Sequence, residues 1–268
     1  IDPDRSAFSV GRIQDYQDRE AFFSALFDGQ GTSNIFQQEH YIFRGNLPKK
    51  GSKFQRRIDD LVEGYDVVAR GVEGRSARWH AIVQVQSERR SGRYYYRKPT
   101  PSEIRLQVGL ALTRGCAGIV YFLYSSGVEE LLDSKEQIIE TRIYEGIVDP
   151  DGFPTETYWA VKEINADLMQ LERVLSGLHF HGGISSRKFL SNDHIISIEG
   201  MAEVGFYGDS LNVSHLLVAN RRSDIAQRIK LLLRSSDADQ ISGTERRLLE
   251  IDLEPGAFTL VPFDERTY

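Results

Sequence analysis

One cysteine, Cys116, stands among 268 residues. That excludes an internal disulfide framework and the small scaffolds that depend on one. Following Gly115 in an apolar run, the thiol reads as buried and structural. Long apolar stretches are missing too. None approaches the roughly 20 residues of a membrane-spanning helix, so no membrane partner is expected. No signal peptide is visible, but the chain opens on Ile1 rather than Met, and localisation stays unassigned. A basic excess is also absent. The 33 Lys and Arg stand against 39 Asp and Glu, a net charge of −6, which speaks against nucleic acid as the partner. The pairs Arg89-Arg90, Arg221-Arg222 and Arg246-Arg247 are short and scattered, and read as solvated loop charge. Walker loops, dinucleotide fingerprints and Gly-x-Ser-x-Gly elbows do not occur. His179 and His181 share one side of a strand with no third ligand near in sequence, so neither a metal nor a cofactor is expected.

What is present is apolar residue in quantity, 40 % of the chain, enough for a sizeable core in one large or two medium domains. The most informative run reads RWHAIVQVQ, then PTPSEIRLQVGLALTRG, then CAGIVYFLYSS. It predicts a buried strand over Trp79–Gln86, a helix, and a second strand over Gly118–Tyr124. Thr100 and Glu103, three apart, form a capping box with Pro101 at the first helical position. Gly115 ends the helix. The second strand is apolar throughout and reads as covered on both faces, as parallel strands are. Parallel strands need neighbours. Ala7–Val10 and Asn34–Phe43 supply short candidates, and between them Phe22, Phe23, Leu26 and Phe27 mark a helix over Gln17–Phe27. Ile58, Leu61, Val62, Tyr65 and Val68 keep a helical period over Gln55–Arg70. Val128–Ile139 reads as a further helical piece, and Thr155–Leu175 is the best amphipathic helix of the chain.

Near Gly177 the composition changes. Short alternating runs follow, such as HIISIEGMAEVGFYG, SHLLVANRR and AFTLVPF, separated by turns. Their even spacing predicts an antiparallel sandwich, with a domain boundary at about 176–180. The layout is thus an α/β domain over 1–176 and a β-sandwich over 177–268.

The α/β part resembles a known family. DPDR, QQEHYIF, WHAIVQVQ, RKPTPSEIRLQVGLALTRGCAGIVYFLY and GIVDPDGFPTETYWAVKEINADLMQL come in an order similar to the last strands of clan A glycoside hydrolases, most like the family 42 β-galactosidases. The resemblance implies a partial (β/α)8 TIM barrel, its strands about five to eight, followed by the small β domain such enzymes carry. Strands one to four would belong to a missing N-terminal barrel half, a partner without which two sheet edges stay unpaired. It also implies a retaining, β-galactosidase-like hydrolysis of a carbohydrate substrate, with an acid/base on strand four and a nucleophile at the end of strand seven.

A retaining glycosidase needs two carboxyls about 5–5.5 Å apart. At the lip of strand seven stand Gln84, Gln86 and then Glu88, and an amide cannot form a glycosyl ester. Glu88, two residues on, is the candidate nucleophile, and Glu39 at the end of strand six is a second catalytic candidate. Gln84, Gln86, Tyr41 and Tyr124 are candidate sugar contacts, the tyrosines because ring faces stack on pyranose faces. The bland readings are a loop charge beside Arg89 and Arg90 for Glu88, a strand-end ion pair for Glu39, and loop packing for the tyrosines. Glutamine where a carboxylate is expected also leaves open a sugar-binding or structural protein on a degenerate barrel.

Overall fold

The computed structural model describes residues 6–11, 17–28, 33–234 and 246–263. In chain order the elements are β1 (Ser6–Gly11), α1 (Arg19–Phe23) continued by a π turn (Ser24–Asp28), β2 (Ser33–Glu39), α2 (Ser52–Val72), β3 (Arg78–Gln84), β4 (Ser87–Arg90) and β5 (Arg93–Tyr96). Then come α3 (Pro101–Leu112), β6 (Gly118–Phe122), β7 (Gly127–Leu132), β8 (Ile138–Glu145) and α4 (Glu156–Leu175). The remainder is β9 (His179–Ser185), β10 (Ile195–Glu199), β11 (Ala202–Gly208), β12 (Val213–Asn220), β13 (Gln227–Arg234), β14 (Arg246–Leu253) and β15 (Phe258–Pro262).

These elements form a mixed α/β fold with one parallel sheet and three antiparallel ones. The parallel sheet has the order β1-β2-β3-β6, so each strand lies beside its predecessor in the set. A helix intervenes at each crossing, as parallel neighbours require. Phe54, Ile58, Leu61, Val62, Tyr65 and Val68 of α2 are buried at spacings of three and four. They meet Phe36 of β2 and Trp79, Ala81 and Val83 of β3 in one core. Phe22, Phe23 and Phe27 cluster edge-on, stacked or tilted around Phe36.

The start of α3 follows the expected chemistry. Thr100 Oγ1 accepts from the Glu103 N–H (3.3 Å), and Glu103 Oε2 accepts from the Thr100 N–H (2.8 Å). Glu103 is buried, and a two-pronged ion pair with Arg97 (2.6 and 2.7 Å) compensates its charge. Gly115 follows the helix at φ +73°, a conformation any side chain would strain.

Two expectations fail here. Val128–Ile139 is not helical but the hairpin β7–β8. Its Glu, Leu and Lys favour helix, yet Val128, Ile138, Thr141 and Ile143 are β-branched. Asp133 Oδ1 closes the turn by accepting from the Lys135 and Gln137 N–H groups (2.7 and 2.9 Å). Nor is β6 covered on both faces. It is the edge of the parallel sheet, ends at Phe122 rather than Tyr124, and leaves Phe122 exposed.

From β9 on, two antiparallel sheets, β15-β12-β11-β9 and β10-β13-β14, share a second core that includes Val204, Phe206, Leu216, Val218, Ile229 and Leu231. A buried ionic chain ties this region to the first. Glu203 of β11, fully buried, accepts from Arg114 after α3 (2.5 Å), from Ser185 (2.8 Å) and from Arg221 after β12. Arg114 also holds Asp66 of α2 (2.5 Å), and Arg221 holds Asp59 of α2. Arg221 is therefore not the solvated loop charge that its sequence neighbourhood suggests; it is 1 % exposed.

Candidate functional site

Two layers meet at the C-terminal ends of the parallel strands. One is the segment that leaves β2, residues 40–47. The other is the antiparallel sheet β5-β4-β8-β7, which grows out of the end of β3. The β2–β3 pairing stops at Glu39 opposite Ile82. Gln84, two residues further, takes its next backbone partners from α3 instead. Gln107 Oε1 accepts from the Gln84 N–H (3.0 Å), and Gln107 Nε2 donates to the Gln84 carbonyl (3.0 Å). A side-chain amide thus stands in for a strand.

Gln84 itself is fully buried and committed. Its Oε1 accepts from the Phe43 N–H (3.0 Å), and its Nε2 points at the carbonyls of Phe43 and Arg97 (3.4 Å each). The amide braces the segment after β2 from below. Gln86 is buried beside it with its Oε1 unpartnered among the described residues. An orphan acceptor of this kind costs about 1–3 kcal/mol unless a donor reaches it.

Glu39 is half-buried at the end of β2 and takes a hydrogen bond from the Tyr41 hydroxyl. Burial pushes its carboxyl above the ordinary value, and the hydroxyl offsets part of that rise. The same burial, with the Glu39 charge beside it, holds the Tyr41 phenol neutral well above its usual range. The Tyr41 ring stacks on Phe122 at the end of β6 (centroids 5.5 Å apart, 21° between planes) and meets Tyr96 of β5 edge-on (5.6 Å, 86°). Three strand ends therefore share one aromatic wall.

Glu88 lies in β4, opposite Tyr96 and Tyr144. It is 5 % exposed, and Arg90 Nε donates to its Oε1 at 2.5 Å. Both Glu88 and Glu39 act electrostatically on Tyr96, whose hydroxyl they help to keep protonated, after burial as the first cause. The structure thus brings Glu39, Tyr41 and Glu88 around Tyr96. Tyr124, 63 % exposed and two residues beyond β6, has no ring contact with another described aromatic residue.

The sequence reading passes over Phe122 and Gln107. Gln107 leaves a trace: an amide in the buried stretch of a helix between Ile104 and Ala111 asks for a partner. Gly45 is a third. A Cβ there would lie 2.0 Å from the Tyr94 carbonyl oxygen, so only glycine lets the segment run against β5.

No protein-family model matches this chain, and no curated protein matches it. Function therefore has to be argued from the site. Among the described residues no group of three His, Cys, Asp or Glu gathers as a metal site, and His181 instead contacts the Asp209 carbonyl (2.7 Å). No described helix is long and apolar enough to cross a membrane. A cleft of about 430 Å³ opens between α3, α4 and the Glu254–Ala257 loop. Its lining includes none of Glu39, Tyr41, Gln84, Gln86, Glu88 or Tyr124 and no aromatic side chain.

Proposed function

We propose that this chain carries part of a glycoside-hydrolase barrel and that its strand-end mouth binds a β-linked carbohydrate and cleaves an O-glycosidic bond. In this reading β1, β2, β3 and β6 are barrel strands five to eight, a missing half-barrel completes the wall, and 177–268 is the appended sandwich domain. The sequential parallel order, with helices at each crossing, supports it.

The observation that carries the reading is the pairing of unlike carboxyls around one aromatic wall. Glu39 is a carboxyl whose protonated form is favoured by burial. Glu88 is a carboxyl held by a guanidinium. Such divergent environments suit an acid and a base or nucleophile. Departing from the strand-four acid/base that the resemblance implies, Glu39 on strand six donates its proton to the leaving glycosidic oxygen as the bond to the anomeric carbon breaks. Glu88, released from Arg90, attacks that carbon or takes a proton from the attacking water. Tyr41, Tyr96 and Phe122 offer ring faces to the sugar.

A second reading, sugar binding without cleavage, is favoured by one feature: the amide of Gln84 at the lip of strand seven, already spent on backbone. The test is the full-length protein with p-nitrophenyl β-galactoside and β-linked oligosaccharides, followed by product analysis and calorimetry. Glu39→Gln and Glu88→Gln should each lower kcat/KM by a factor of about 10² or more. Binding without released sugar selects the second reading. Hydrolysis unaffected by both substitutions removes these residues from the chemistry.

A further inference from the structure

A basic, aromatic ridge borders the mouth. Arg44 lies on the segment leaving β2, pinned to β5 by a bridge to Tyr96 and by the hydrogen bond from the Gly45 N–H to the Tyr95 carbonyl (3.1 Å). Its guanidinium carbon sits over the rings of both Tyr95 (4.8 Å from the centroid) and Tyr96 (4.6 Å). Arg89 and Arg90, close by, are ion-paired to Glu145 and Glu88. Arg44 differs. Among the described residues it has no carboxylate partner, and its side chain donates no hydrogen bond. Its contacts are with π faces, which fix the position of a guanidinium while leaving its in-plane N–H groups free. Those groups form a rigid planar fork that matches the two oxygens of a carboxylate.

The position fits a bound sugar. One tyrosine ring, Tyr96, contacts both Arg44 and Tyr41, the hydrogen-bond partner of Glu39. Arg44 is itself partly exposed. A pyranose lying against this wall would bring its C6 substituent within reach of an unoccupied cationic fork. A guanidinium without an ion-pair partner beside a substrate site favours an anionic ligand over a neutral one.

We infer that the carbohydrate taken at this mouth is acidic, and that Arg44 anchors the carboxylate of a hexuronic acid residue. This rests on the carbohydrate reading above and narrows its substrate class. The experiment uses the full-length protein with two probes that differ only at C6, p-nitrophenyl β-D-galacturonide and p-nitrophenyl β-D-galactoside. Affinity is measured by calorimetry and turnover by nitrophenol release. The galacturonide should bind about tenfold to a hundredfold more tightly, by the strength of a charge-assisted forked contact. That preference should shrink with added sodium chloride, collapse in Arg44→Met and return in part in Arg44→Lys, which keeps the charge and loses the fork. Equal affinity of the parent protein for both probes overturns the inference while leaving the glycosidase reading intact. So does a preference that survives in Arg44→Met. Should the parent bind and cleave neither probe, both the carbohydrate reading and the acidic-sugar inference fall together. The salt dependence of the parent alone keeps the test decisive if a variant folds poorly.

Discussion

Replacing Glu203 by Gln tests the ionic chain that joins the two cores beside the apolar packing of Tyr207 and Leu217 on the first. The carboxylate is completely buried and accepts from two arginines that are themselves 1–2 % exposed. Solvent screening at Glu203 is therefore small. The amide keeps the shape but removes the charge between Arg114 and Arg221. Each arginine retains one aspartate, Asp66 or Asp59, about a third exposed, which limits the damage to one buried charge. Breaking a buried pair from one side costs about 3–5 kcal/mol. For 268 residues, a melting entropy of about 0.56 kcal/mol/K converts this to a fall in Tm of roughly 5–9 °C. The chain carries its own probe. Trp79 is buried, and its indole N–H donates to the Arg114 carbonyl (3.2 Å), whereas Trp159 is exposed. Fluorescence-detected melting thus reports on the network, and far-UV circular dichroism on the whole chain. If the two curves of the variant separate, the joint has failed before the cores. A Tm within about 1 °C of the parent would refute the claim that this ionic chain stabilises the fold.

Gln107→Ala should destabilise by about 2 kcal/mol or more, because it strips both backbone partners from Gln84 in a buried place; urea denaturation measures it, and a loss under about 0.5 kcal/mol would show that other groups fill in. Cys116 should resist alkylation: burial pushes its thiol up to about 12, and iodoacetamide at pH 8 should label it only on unfolding, so rapid labelling of native protein by mass spectrometry contradicts the placement. Glu39 gives a pH dependence of definite sign. Its folded pKa is raised, so the folded state binds the extra proton, and stability falls as pH rises from its ordinary 4.5 through the raised value. Glu39→Gln should therefore gain stability relative to the parent across that window, and parallel stability–pH curves for the two would exclude a burial-raised carboxyl.

Local features were legible in the sequence, and features built from distant residues were not. The Thr100–Glu103 capping box needs only four residues, and it forms as read. The β-rich character after Gly177 was visible for the same reason: alternation and turns are short-range signals. The β7–β8 hairpin was hidden because Glu129, Leu131, Lys135 and Gln137 are good helix formers, and only the Asp133 turn and the pairing of Val128 with Ile143 override them. Arg221 looked like loop charge because its partners sit 18 and 162 positions away. The same holds at the mouth. Strand ends predicted where Glu39 and Tyr41 stand, but not that Tyr96, over fifty positions later, would stand between them and Glu88.

That separation in sequence has a chemical consequence. Glu39 belongs to the parallel sheet and Glu88 to the antiparallel sheet that follows the end of β3, so each carboxyl is held by a different sheet. Burial raises the first, and a single hydrogen bond from Arg90 Nε holds the second in place. Had both stood opposite each other on adjacent strands of one sheet, their like charges would have repelled. Tyr96 is the common wall, paired with Glu88 in its own sheet and in contact with both Tyr41 and Arg44 from the segment after β2. A substitution that shrinks this ring, such as Tyr96→Ala, removes the stacking surface for a sugar and one of the two faces that position Arg44. Loss of sugar affinity and loss of any preference for acidic sugars should then appear together in that one variant, whereas Arg44→Met separates them.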